Sequence, residues 1–136
     1  MNEQNISRDT VVIDDSVHHV YQRLTEGNNP VETPFRTMKD VFMWAVCLGY
    51  QRGERKPIFG KRVTIFRWAQ FSPQTDIPLL KSFAIVDKQD VNILLEQEDI
   101  LTIAEEYANA GIDPLYREVL GVPGQPLWNV TNLPQE

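Results

Sequence analysis

Between Val41 and Leu48 the chain reads Val-Phe-Met-Trp-Ala-Val-Cys-Leu, an apolar run without a single charge. Only Val41 and Val46 in it are β-branched, so a helix is favoured over a strand. A helix that is apolar on nearly every side has no face to give to water and must be surrounded by protein. Thr37 stands where an N-cap belongs, Met38 opens the helix, and Gly49 is read as its terminator. The rest of the chain must therefore wrap around Met38–Leu48. With 136 residues there is enough chain for one domain, hiding roughly two-thirds of its unfolded surface. Cys47 is the sole cysteine, so no intrachain disulfide can form. Its apolar setting predicts a thiol that behaves as a small hydrophobe with a raised pKa, as suits a reducing compartment.

The elements around this helix follow from local signals. Residues 1–9 are polar and expected to be flexible. Thr10–Ile13 is a β-branched run suited to an edge strand. Asp15 or Ser16 then caps a helix carrying Val17, Val20, Tyr21 and Leu24 on one face, and Gly27-Asn28-Asn29-Pro30 ends it in a loop over 27–36. Gly53, Pro57 and Gly60 make 51–62 a turn-rich basic loop. Val63, Ile65, Arg67 and Ala69 alternate with Thr64, Phe66, Trp68 and Gln70, the pattern of a strand with two partly covered faces. Its pairing partner is either Val11–Ile13 or Leu127–Val130.

Helical grammar returns at Asp76, which caps a segment with Leu79, Leu80, Phe83 and Ala84 on one side. Asp87 is read as the cap of another, carrying Val91, Leu94 and Leu95. Ile100, Leu101, Ile103, Ala104, Tyr107 and Ala108 form a stripe at helical spacing, with Asp99, Thr102, Glu105, Glu106 and Asn109 turned to solvent. Gly111 closes that helix, and Asp113-Pro114 opens a last one with Leu115, Tyr116, Val119 and Leu120, stopped by Gly121. Residues 122–136 contain Pro123, Gly124, Pro126 and Pro134 and are expected to form an irregular tail packed on the body by Leu127 and Trp128. The expected fold class is α+β, predominantly α-helical. It is one compact domain over 10–121, with about five helices around the central buried one and a small β element.

The net charge of −6 opposes indiscriminate binding to nucleic acid or anionic lipid, but the charge is unevenly spread. Arg52, Arg55, Lys56, Lys61, Arg62 and Arg67 face one acid, Glu54, within 52–67. Nine acids between Asp87 and Glu118 face only Lys88 and Arg117. The basic segment reads in two ways. Interleaved with Phe59, Phe66 and Trp68, it could track a phosphate backbone and offer stacking surfaces. Alternatively, it lies against the acidic C-terminal helices and is neutralised there. Overall acidity favours the second.

No catalytic constellation emerges. His18 and His19 each follow an aspartate by four residues, but adjacent helical side chains diverge by about 100° and cannot both hold one ion. Ser7, Ser16, Ser72 and Ser82 lie in no nucleophile-elbow pattern. Gly49, Gly53 and Gly60 are spaced wrongly for a phosphate-binding loop. Glu105 and Glu106 are neighbours on a helix, so they diverge and make a poor acid–base pair. A groove-reading ribbon at Val11–Ile13 is disfavoured, since those residues are apolar. Neither metal nor cofactor is expected. There is no stretch of about 20 apolar residues to span a membrane, and the polar, acidic N-terminus is not a signal peptide. The expectation is a cytoplasmic protein that does not associate with membranes.

Two stretches in order resemble a known family. The first is Val41-Phe42-Met43-Trp44-Ala45-Val46-Cys47-Leu48-Gly49-Tyr50-Gln51-Arg52-Gly53-Glu54-Arg55-Lys56-Pro57, and the second is Glu105-Glu106-Tyr107-Ala108-Asn109-Ala110-Gly111-Ile112. Together they resemble the small accessory proteins encoded beside bacterial DNA-phosphorothioation (Dnd) systems, the group called dnd system-associated protein 4. The likeness covers about residues 35–120. It implies a bacterial protein linked to sulphur modification of DNA or to the matching restriction system, and it carries over no catalytic residue. The functional expectation is a non-catalytic accessory or interaction protein, with a protein partner or a second copy of the chain ahead of DNA. The alternative is a nucleic-acid-binding module that uses the six cations of 52–67.

Overall fold

The computed structural model describes residues 8–26, 35–90 and 96–120. Residues 27–34 of the loop expected over 27–36, the segment expected to carry Val91, Leu94 and Leu95, the Leu127–Val130 strand and the tail lie outside them. Strand β1 (Thr10–Asp14) pairs antiparallel with β2 (Arg62–Arg67), with Thr10 opposite Arg67, Asp14 opposite Arg62, and a bulge between Val11 and Val12. One of the two partners expected for the second strand is therefore the real one. That strand is shorter than the alternation suggested, because Trp68–Gln70 turns into a single 3-10 turn.

The Asp14 carboxylate accepts the Ser16 N–H at 3.0 Å and caps a short 3-10 turn, Asp15–Val17, that leads into α1 (His18–Thr25). The cap thus sits one residue ahead of the expected Asp15 or Ser16. The Ser16 hydrogen bonds hold the Asp14 carboxyl below the ordinary carboxylate range.

Helix α2 spans Met38–Arg52, and Thr37 Oγ1 accepts the Asp40 N–H at its start as expected. Its end corrects the reading of Gly49. The helix stops at Gly53, which has φ 69° in the left-handed region and donates its N–H to the Tyr50 carbonyl at 3.0 Å. Helix α3 (Asp76–Lys88) contains Asp87 in its last turn, so Asp87 does not cap a new helix. Helix α4 runs unbroken over Gln97–Val119, through both Gly111 and Pro114. Neither the expected stop nor the expected restart occurs. Among the described residues there are accordingly four α-helices and one two-stranded sheet, an α+β fold with a helical majority.

The two misread glycines serve one purpose. A Cβ on Gly111 would run into the Ala45 carbonyl and come within 2.8 Å of the Gly49 nitrogen, while a Cβ on Gly49 would meet the Tyr107 carbonyl. Helices α2 and α4 therefore cross with their backbones in contact, and only residues without a Cβ fit there. The core spreads from that crossing. Val41, Phe42, Ala45 and Val46 of α2 are fully buried, as are Leu101 and Leu115 of α4. Tyr50 stacks on Phe83 at 4.1 Å, tying α3 to the same layer, and Phe66 and Phe71 meet Phe42 edge-on or tilted. The central helix is enclosed on most sides, and its open side carries Met43 and Cys47, both partly buried, and Trp44, which is 43% exposed and touches Phe35 edge-on.

Candidate functional site

Glu105 is not on the solvent face. It is 3% exposed, and its carboxylate receives Arg8 Nη1 at 3.0 and 3.1 Å and the Val12 N–H at 2.9 Å. The helical stripe misassigned it because the β1 side of α4 is closed by two groups far away in sequence. Gln97, two turns earlier, donates to the Arg8 carbonyl at 2.6 Å, so α4 grips Arg8–Val12 at two points. Burial raises the Glu105 carboxyl pKa, with the Val12 N–H and Arg8 pulling the other way. Among the described residues Arg8 Nε and Nη2 have no hydrogen-bond partner.

Glu106 points to the opposite side, where it meets the basic segment. Arg55 donates through Nε and Nη2 to Glu106 at 3.0 and 2.6 Å, and through Nη1 to Asp87 of α3. Its guanidinium also lies over the Tyr107 ring, 5.6 Å from the centroid. Burial works against the charge on Arg55, but the two acids outweigh it and raise its pKa. Burial and Asp87 likewise raise the Tyr107 hydroxyl. Arg55 is thus a brace between loop and helices.

The other cations of the segment have separate surroundings. Arg52 meets Glu54 at 3.4 Å, both exposed, and Arg67 meets Asp9 at 3.2 Å across the sheet edge. Arg62 donates to the Ile58 carbonyl at 2.9 Å and faces Asp14 from the opposite strand. Lys56 and Lys61 are exposed, and among the described residues no carboxylate pairs with either. An open depression of about 500 Å³ lies between the end of α2 and α4. It is lined by Arg52, Lys56 and Arg117 together with Glu54 and Asp113. Arg117 was counted with the acidic helices in the sequence. It is separated from Lys56 by 61 positions, and nothing in the local pattern brings the two together.

The main chain of the loop is held at many points. The Lys56 N–H donates to the Glu106 carbonyl at 3.0 Å, and Asn109 Nδ2 donates to the Lys56 and Pro57 carbonyls at 3.1 and 3.3 Å. Ile58 is buried, and the Asp15 N–H donates to the Lys61 carbonyl at 2.7 Å. Between those anchors Phe59 stands 90% exposed. Phe66, by contrast, is buried, and Trp68 packs on Phe71 at 5.5 Å. Of the three aromatics expected to interleave with the cations, Phe59 alone has a free face.

The remaining chemical candidates stay apart. His18 is half-buried and His19 exposed at the start of α1. Among the described residues no three His, Cys, Asp or Glu side chains converge as metal ligands. Cys47 is partly buried on α2, and burial, with Asp76 nearby, raises its thiol pKa. No helix among the described residues is long and apolar enough to cross a membrane.

A family model described as DNA sulphur modification system-associated protein 4 matches residues 12–126. The match takes in α1, which lies outside the stretch that carried the likeness in the sequence. No curated protein and no solved structure matches the chain.

Proposed function

The chain belongs to the DNA sulphur modification system-associated protein 4 family, and on that premise we propose that it is a non-catalytic accessory protein. In this reading it serves a bacterial DNA-modification or restriction system in the cytoplasm by binding. A protein subunit of that system, or a second copy of the chain, is the favoured partner. The supporting observation is the loop over 53–61. Its backbone is tied to α4 and to the Asp15 turn, yet its side chains at Lys56, Phe59 and Lys61 face water. A loop fixed by its main chain and free in its side chains is pre-organised for a partner. Purified protein is expected to show no nuclease, sulphur-transfer or ATP-hydrolysing turnover. Reproducible turnover abolished by one side-chain substitution would overturn this reading.

A second reading has its own support. With Arg55 held by Asp87 and Glu106, and Arg67 by Asp9, the positive charge left to a ligand is concentrated on Lys56 and Lys61, on either side of Phe59. That pairing of cations and a free ring suits nucleic acid. It predicts binding that weakens steeply with salt and falls when Lys56 and Lys61 are neutralised. If neither duplex nor single-stranded DNA binds at low salt, this reading fails.

A further inference from the structure

We infer that Phe59 is a stacking platform for an unpaired nucleobase, with Lys56 and Lys61 holding the flanking phosphates of a single strand. The inference rests on the second reading above and sharpens it from nucleic acid in general to an unstacked base at one named ring.

The ring of Phe59 stands out in water. Leaving a phenylalanine in water forgoes about 2 kcal/mol of burial, and this loop does bury its neighbour Ile58. The carbonyls of Lys56, Pro57, Ile58 and Lys61, on both sides of Phe59, all accept hydrogen bonds, which fix the backbone that carries the ring. Those contacts hold the ring outward. A platform presented in this way loses little entropy when something stacks on it.

Chain geometry then limits where the cations can be. An extended chain covers at most about 3.6 Å per residue, so Lys56 and Lys61 lie within roughly 11 and 7 Å of Phe59 at Cα. One ring and two ammonium groups therefore fall within the span of a few nucleotides. Arg62 is not counted, since Asp14 faces it across the sheet and also lies beside Gly60. A lysine ammonium binds phosphate as a point charge, so two of them beside an exposed ring suit the backbone of a phosphate polymer. A base offers its face to the ring only when it is out of the duplex stack, which selects single strands over duplex.

The test is fluorescence anisotropy with the full chain and a labelled oligonucleotide, presented single-stranded and as the duplex of the same sequence at low salt. The expected result is tighter binding of the single strand. Phe59→Ala should weaken it by about 5- to 100-fold, the range for losing one stacked base. Phe59→Trp should keep it, and Lys56→Ala with Lys61→Ala should lower the salt slope by roughly 1.4 for two phosphates. Circular dichroism of each variant reports whether the fold is intact. Equal binding by Phe59→Ala, or equal affinity for duplex and single strand, overturns the stacking platform and leaves nucleic-acid binding standing. No binding to either form overturns both. Loss of affinity for a protein subunit on Phe59→Ala, without any DNA binding, would assign the ring to a protein partner instead.

Discussion

Glu105 and Glu106 are neighbours on α4, yet the first is shut against Arg8 and the Val12 N–H while the second reaches the surface to hold Arg55. The same contrast runs along the helix. On the inner side lie Gly111 against the α2 backbone and Glu105 against β1; on the outer side lie Glu106 and Asn109 under the basic loop. On the inner side the Glu105 carboxylate is shut away from water, and Arg8 and the Val12 N–H match it within the protein. The outer side borders water, and its ion pairs position a loop rather than secure the core. One helix thereby separates what makes the chain fold from what it displays.

The largest effect should come from Glu105→Ala, which leaves the Val12 N–H and the half-buried Arg8 guanidinium without their carboxylate. Breaking such a pair costs about 3 kcal/mol, read as a lowered urea midpoint. Glu106→Ala should cost about 0.5 kcal/mol, and 1 M salt should erase that loss while leaving the Glu105 effect in place. Equal losses for the two variants would remove the distinction. Gly111→Ala should come next. Alanine normally strengthens a helix interior, but here its methyl meets the Ala45 carbonyl, so a loss of about 2 kcal/mol is expected. A gain in stability would mean the helices do not touch there.

A smaller effect concerns pH. Burial raises the Glu105 carboxyl above its ordinary 4.5 in the folded chain, so the folded state keeps that proton longer than the unfolded state does. Its contribution is then full below the unfolded pKa and is lost as pH rises through the folded value. Glu105→Gln should remove this part of the decline, giving a shallower fall in unfolding free energy from pH 4.5 upward. Urea titrations of both proteins across that range would show parallel curves if the carboxylate were not responsible.

Local signals were more legible in the sequence than contacts made across the fold. Thr37, the Met38 start and one of the two partners expected for β2 follow from caps and alternation, which act within a few residues, while Asp76 stands one residue inside the Thr75 cap of α3. Gly49 and Gly111 misled because a glycine near a helix end usually stops the helix, whereas here each is demanded by a second helix some 60 residues away. Pro114 compounded the error, standing after Asp113 in the order that opens a helix while in fact continuing one. Glu105 sits at a solvent-facing position of the stripe and is covered by Arg8 and β1, which no helical period reports. The candidate cations were identifiable by composition. Their sorting into a brace, Arg55, and free groups, Lys56 and Lys61, depended on acids in α3 and α4.

The central claim is that the side chains of Lys56, Phe59 and Lys61 are displayed for a partner and are not needed for the fold. Equilibrium urea unfolding of the triple variant Lys56→Ala, Phe59→Ala, Lys61→Ala against the unaltered chain tests it most directly. The account predicts unfolding free energies that agree to within about 0.5 kcal/mol, as for surface substitutions away from structural features. A loss approaching that of Glu105→Ala would show that these side chains belong to the fold and would contradict it.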